Sequence, residues 1–206
     1  MLRFAVERGQ LQHNVVRDVR KLKTQADPPG WLTQEEWAKI KAIAEHSSLW
    51  PLVNTAYFTG MRSAELCHLT CGELNCAAGL VTTRNKPEIG STLKSRSSRT
   101  IPLHSDHATI LRPFLQVKKP TDLCFPSPDG DPYHDWEINE AFERHIAKPF
   151  GVACSLKHLR FTFASRLVQQ GVSMYKVSQW LGHRPVTTTE RHYAHLAPRD
   201  DEIEVL

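Results

Sequence analysis

Apolar residues recur at helical spacing from the first turn of the chain. Phe4, Leu11, Val15, Val16, Val19 and Leu22 fall roughly on one side of a helix over Arg3 to Lys23. The stretch TQADPPG, residues 24–30, halts that helix with its prolines and glycine. Thr33-Gln34-Glu35-Glu36 is a capping-box signature, predicting a helix through about His46. Pro51 starts another whose apolar residues lead to Gly60, and Ser63 to Leu69 reads as a short helix with Arg62 at its start. The period then changes. Leu80–Arg84, Ser91–Leu93 and Arg99–Leu103 are short and β-prone, broken by Pro87, Gly90 and the Ser95-Arg96-Ser97-Ser98 turn. They predict a small antiparallel three-stranded sheet, with Lys94 on its second turn. Helical spacing returns over Ser105–Val117, Trp136–Ala147 and Leu156–Gln170, then from Ser173 to Gly182. A last short helix, Val186 to Ala194, carries Tyr193. The fold class predicted is α+β, mainly α: a helical bundle with a small sheet over residues 31–206, preceded by a helix and linker over residues 1–30.

Composition narrows the class. With 40% hydrophobic and 23% charged residues in 206, the chain falls among soluble globular proteins of one domain, or one domain and a fragment. No apolar run approaches the roughly 20 residues of a membrane span. Charge interrupts Met1-Leu2-Arg3-Phe4-Ala5-Val6-Glu7-Arg8 too early for a signal peptide. Five cysteines, an odd number without a short secreted-type framework, favour a reducing compartment, so a cytoplasmic location is expected.

The net charge of +4 conceals an asymmetry. Between Arg144 and Arg191 stand Lys148, Lys157, Arg160, Arg166, Lys176 and Arg184, against the single acid Glu190. Arg84, Lys86, Lys94, Arg96 and Arg99 face only Glu88, while the tail Asp200-Asp201-Glu202-Ile203-Glu204 is acidic. Clustered positive charge is the footprint of a polyanion partner, or of a solvated basic face.

Within the basic regions lie the residues that carry chemistry. Arg62, Arg160, His183 and Tyr193 each fall close to a predicted helix end. A guanidinium holds phosphate oxygens in a planar fork, and a tyrosine hydroxyl can be a covalent nucleophile. Breaking a phosphodiester in this way needs positive charge on the non-bridging oxygens, where one preorganised donor is typically worth about 3–4 kcal/mol. It also needs a proton for the leaving oxygen. Lys94 can supply it as general acid, with Lys157 and His183 adding hydrogen bonds or moving protons.

Thr59-Gly60-Met61-Arg62-Ser63-Ala64-Glu65-Leu66 resembles the first arginine box of the tyrosine recombinases, the phage-type integrase family. Lys94, five residues before Arg99-Thr100-Ile101-Pro102-Leu103, matches that family's β-hairpin lysine. Lys157-His158-Leu159-Arg160 sits at its His-x-x-Arg box, and Leu181-Gly182-His183 and Tyr193-Ala194-His195-Leu196 follow at family-like distances. The resemblance covers about residues 31 to 198. It implies the family's catalytic domain, acting on double-stranded DNA by site-specific recombination through a 3′-phosphotyrosyl intermediate, with no metal or nucleotide cofactor. It also implies a homotetramer on DNA, and makes residues 1–30 the last helix and linker of a core-binding domain.

The pattern is not matched throughout. Lys157 stands where the second box usually has histidine, and His158 is one residue late, about 100° away around a helix; Lys157 is therefore the site candidate. Phe161 replaces a histidine often found after the box arginine, and the span from His183 to Tyr193 is one residue longer than in many members. Lysine in the second box also occurs in type IB topoisomerases, so topoisomerase-like activity stays open, as does an inactive DNA-binding relic. The acidic tail predicts a weakened or altered contact between protomers. Glu65 is expected to orient Arg62 or pack the site, and Tyr175 and Trp136, Trp180 and Trp50 to be packing residues. Cys67, Cys71, Cys76 and His68 lack usual zinc spacing, so no metal is expected.

Overall fold

Helix ends in this molecule are set by residues suited to them. In the computed structural model, which describes residues 2–17, 19, 30–87, 98–151, 154–183 and 185–198, α1 spans Leu2–Glu7 and α2 spans Gln34–Ala44. Thr33 caps α2 in a capping box: its hydroxyl accepts from Glu36 N–H at 3.1 Å, and Glu36 accepts from Thr33 N–H at 2.7 Å. Helix α3, Trp50–Thr59, begins with Pro51 in its first turn and ends on Gly60 at φ 59°, a left-handed position that favours glycine. Helix α4, Ser63–Cys67, follows immediately. Helix α5 is Ser105–Gln116 and α6 Asp135–Phe142, which runs on through a π-helical turn, Glu143–Ala147, into α7, Lys148–Phe150. Helices α8, Leu156–Gln169, α9, Met174–Leu181, and α10, Thr187–Tyr193, complete the bundle.

Strands β1 (Leu74–Asn75), β2 (Leu80–Thr83) and β3 (Arg99–Pro102) form an antiparallel sheet in that order. Leu80 pairs with Pro102, Val81 with Ile101, Thr82 with Thr100 and Thr83 with Arg99. The sheet is three-stranded as expected, but its membership differs. Because β2 pairs directly with β3, Ser91–Leu93 is not interposed between them, and the third strand is the two-residue β1. Residues 91–93 lie outside the described residues.

Helix α3 is the centre of the fold. Leu52, Val53, Ala56 and Tyr57 are buried on it, and it packs along α8 and against α5. The main core adds Ile40, Leu66, Ile101, Leu111, Ile138, Phe142 and Leu159, all at 1% exposure or less. Each such side chain stabilises the fold by about 1.5–3 kcal/mol relative to exposure. A second, smaller cluster joins Ala164, Val168, Val177, Leu181 and Tyr193, and Phe163 packs against both clusters. The residues ahead of α2 are tied down by Leu32, whose N–H donates to the Thr162 hydroxyl at 2.9 Å.

Three expectations are corrected. The first helix ends at Glu7, not near Lys23: Gly9 turns left-handed at φ 69°, and Leu11, Val15, Val16 and Val19 are exposed. Without a surface to pack on, so short a helix gains little in water. Tyr175 and Trp136 are surface residues at 64% exposure each, with Trp136 stacked on His134. Trp50 and Trp180 do pack against the core. No described helix is long and apolar enough to cross a membrane, and no described cluster of His, Cys, Asp and Glu could hold a metal ion.

Candidate active site

The C-terminal ends of α3 and α9 meet, and the arginines gather there. Arg160, on the buried face of α8, donates from Nη1 to Gly60 O at 2.6 Å and from Nη2 to Leu181 O at 2.7 Å. Arg62, in extended conformation ahead of α4, donates to Gly182 O at 3.2 Å, and Arg99 Nε to Trp180 O at 2.6 Å. These carbonyls lie at helix C-termini, where intrahelical donors have run out and the helix dipole is negative. They accept from the guanidinium groups, which is one reason three arginines tolerate close quarters with a single carboxylate.

That carboxylate is Glu65. Its Oε1 accepts from Arg62 Nη1 at 3.0 Å and Arg99 Nη1 at 2.8 Å; its Oε2 accepts from Arg62 N–H at 2.8 Å and Arg99 Nη2 at 2.7 Å. Burial by itself would raise its pKa, but the bonds and charge of Arg99, then those of Arg62, hold it at about 2. Burial, then the charges of Arg62 and Arg99, lowers Arg160 to about 9, which leaves it protonated at neutral pH.

His183 follows the left-handed Gly182 that ends α9. Its Nε2 lies 3.1 Å from Arg160 Nη2, and its Nδ1 lies 2.8 Å from the Thr189 hydroxyl. Arginine only donates, so Nε2 accepts and Nδ1 carries the proton. Burial first, then Arg160 and Arg62, lowers its pKa to about 4, so the ring is neutral at physiological pH. Tyr193 ends α10 with its ring in the smaller core, 2% exposed, and tilted on Phe161 at 6.4 Å. Burial raises its phenol to about 12, and the Arg160 charge pulls the other way.

The second-box alternatives separate clearly. His158 is the third residue of α8, and its Nδ1 accepts from Ser155 N–H at 3.0 Å, a capping role. Exposed Lys157 lays its ammonium 5.3 Å from the centre of the Phe161 ring, the ring that meets Tyr193. Of the six residues singled out in the sequence, Arg62, Arg160 and His183 come together with Tyr193 beside them, and Lys157 flanks Tyr193 through Phe161. Lys94 lies outside the described residues.

Arg99 and Thr189 escaped the sequence reading. A signal for Arg99 was present: two-residue alternation puts it on the same face of β3 as buried Ile101, so a charge points inward. Nothing comparable marks Thr189, whose full burial depends on the packing of α10. Behind the cluster opens a cavity of 720 Å³, lined by Trp37, Tyr57, Phe58, Phe163 and Trp180 and bordered by Lys41 and Arg166. Phe163 separates it from Gly60.

A helical bundle with this small sheet is the fold of tyrosine-recombinase catalytic domains. The sequence profile of the Phage integrase family matches residues 30–200, and the chain belongs to that family. It is 27% identical over 196 residues to a tyrosine recombinase of Pseudothermotoga lettingae, covering 91% of this chain and 63% of that protein. The catalytic domain of bacteriophage HP1 integrase superposes with a TM-score of 0.63 at 25% identity, covering 85% of this chain and 93% of that domain. The Tn1549 transposon integrase, solved in complex with a circular intermediate DNA, gives 0.74 at 20% identity over 90% of this chain and 68% of that one. The chain thus spans less than two thirds of the tyrosine recombinase it resembles in sequence.

Proposed function

We propose that this chain cuts and rejoins duplex DNA in site-specific recombination, with Tyr193 as nucleophile. The observation that carries the reading is the convergence of Arg62, Arg160 and His183, from three separate elements, on the helix ends beside Tyr193. Tyr193 Oη attacks phosphorus, a bond to the 3′ phosphate forms, and the bond to the 5′ oxygen breaks. Arg62 and Arg160 bind the non-bridging oxygens, where charge grows. Neutral His183 is the base of the cluster: its Nε2 takes the phenol proton and, once protonated, can donate to a phosphate oxygen. Lys157 flanks the nucleophile, and Lys94 gives the departing 5′ oxygen its proton. The free 5′ hydroxyl of a partner strand reverses the step and rejoins the DNA.

Assembly as a tetramer on DNA, a cytoplasmic location and the origin of residues 1–30 in a core-binding domain belong to the same reading. The cavity supports the first. Its aromatic walls, bordered by Arg166, by Lys41 paired with Glu45 and by Asp106, suit the apolar residues of the tail, 200–206, of a neighbouring copy, which would be the altered contact expected of an acidic tail.

The test is a nicked duplex carrying a candidate recombination site, which on cleavage loses the short downstream fragment that bears the freed 5′ hydroxyl and so traps the enzyme. The unchanged chain should become attached to the DNA, and Y193F should bind without attachment. A covalent adduct formed by Y193F would refute the assignment. Lys157 favours a topoisomerase as second reading; it predicts relaxation of supercoiled plasmid lacking any recombination site.

A further inference from the structure

Arg99 is absent from the roles assigned so far, yet it is the best-held cation in the cluster. Its side chain is 7% exposed, it meets both oxygens of Glu65 in a fork, and it reaches Trp180 O and, at 3.3 Å, the Thr83 hydroxyl. A Cβ added to Gly182 would come within 3.1 Å of it, so the turn that carries His183 is moulded around its guanidinium.

From this geometry we infer that Arg99 is a positioning residue: by occupying the charge of Glu65 it leaves Arg62 free to offer a net positive charge to phosphate. The arithmetic is local. Glu65 fixes Arg62 through the side chain and the backbone N–H. With no second cation, that pair would sum to zero, and a phosphate would meet a guanidinium already matched by a carboxylate. With Arg99 present, Arg62 and Arg99 against Glu65 leave one positive charge, to which Arg160 adds a second, His183 being neutral. Arg62 keeps its side chain 25% exposed, whereas Arg99 is sealed in. The arginine that can reach a ligand is therefore distinct from the one that balances the carboxylate. This inference rests on the proposed reading of the site as a phosphodiester site.

The groups facing Glu65 are Arg62 on its own turn, Arg99 on β3 and Arg160 on α8, with Glu73, Arg84 and Lys86 across a small crevice. Lys86 is bonded to Glu73, so Arg99 is the cation that Glu65 would lose.

A single and a double variant decide the matter. R99M removes the charge and the fork but keeps much of the stem, and R99M/E65Q also removes the carboxylate that Arg99 balances. On the nicked duplex, R99M should form adduct at least about tenfold more slowly, and R99M/E65Q should recover at least part of that loss. As pH falls through the raised Glu65 pKa, R99M should regain part of its loss relative to the unchanged protein, because protonated Glu65, like glutamine at that position, no longer neutralises Arg62. A merely structural arginine gives the opposite sign, with the double variant slower than R99M. That result, or an R99M rate equal to that of the unchanged protein, overturns the inference. Should R99M not fold, R99Q and R99Q/E65Q carry the same comparison, since glutamine removes the charge while keeping a hydrogen-bonding side chain. Inorganic phosphate, titrated against the Arg62 side-chain Nε–H resonance, reads the cluster without turnover. Weaker phosphate binding in R99M, restored in R99M/E65Q, supports the inference even where the unchanged chain forms no adduct, an outcome that would sink the proposed function alone. Equal phosphate binding in all three proteins overturns the inference.

Discussion

At the scale of single residues, burial sets proton affinity in the cluster. His183 at about 4 and Tyr193 at about 12 leave an acceptor and a donor in one site at neutral pH. Nitrogen resonances of His183 should therefore titrate near pH 4, and a midpoint near 6.5 would mean that the ring is solvated. The same shifts govern acid stability. His183 and His107, the latter lowered to about 3 chiefly by burial, bind fewer protons folded than unfolded. Their contribution is complete above the ordinary histidine pKa of about 6.5 and is lost as pH falls from there towards 4 and 3. Glu65 adds a loss from about 4.5 down to 2. Thermal midpoints should fall across that window, and H107Q should flatten the slope between pH 6.5 and 4. Resemblance to the family's boxes, taken in order along the chain, made Arg62, Arg160, His183 and Tyr193 legible as candidates; none of those motifs is distinctive by itself. Arg99 was harder to read, since what distinguishes it is the carboxylate it meets, 34 positions away.

At the scale of elements, the legible parts were those whose ends are fixed by local chemistry. Thr33, Gly60 and Gly182 announce helix boundaries in sequence because capping and left-handed turns need only near neighbours. The first helix was overextended because its apolar stripe promised a packing surface that the described residues do not provide. Strand β1, two residues long, has no period to read. Gly60 tests this scale. A Cβ there would sit 2.5 Å from Phe163 Cδ1 and 3.2 Å from Leu181 Cδ2, in a left-handed conformation. G60A should destabilise by about 2–5 kcal/mol, combining left-handed strain with overpacking, as read in denaturant unfolding. It should also weaken covalent capture, since Gly60 O holds Arg160. By contrast, T33A should cost about 1 kcal/mol through its lost cap and leave cleavage chemistry unchanged.

At the scale of the whole molecule, charge distribution matters more than net charge. Each phosphate neutralised contributes about −0.9 to the slope of log affinity against log salt. Binding to duplex DNA should therefore weaken steeply with salt, and a slope shallower than about −2 would mean that the basic residues of α8 to α10 turn away from the polyanion. Removing residues 199–206 should reduce tetramers on DNA in sedimentation if the aromatic cavity receives a neighbour's tail; undiminished tetramers would exclude that role. The seam between the two hydrophobic clusters has a further consequence. Arg160 is clasped by Gly60 on one side and Leu181 on the other, groups contributed by distant stretches of chain. A polypeptide growing from the ribosome cannot assemble that clasp until α9 has emerged, and Tyr193 comes later still. On the proposed reading, the ability to cut DNA is thus withheld until the chain is finished.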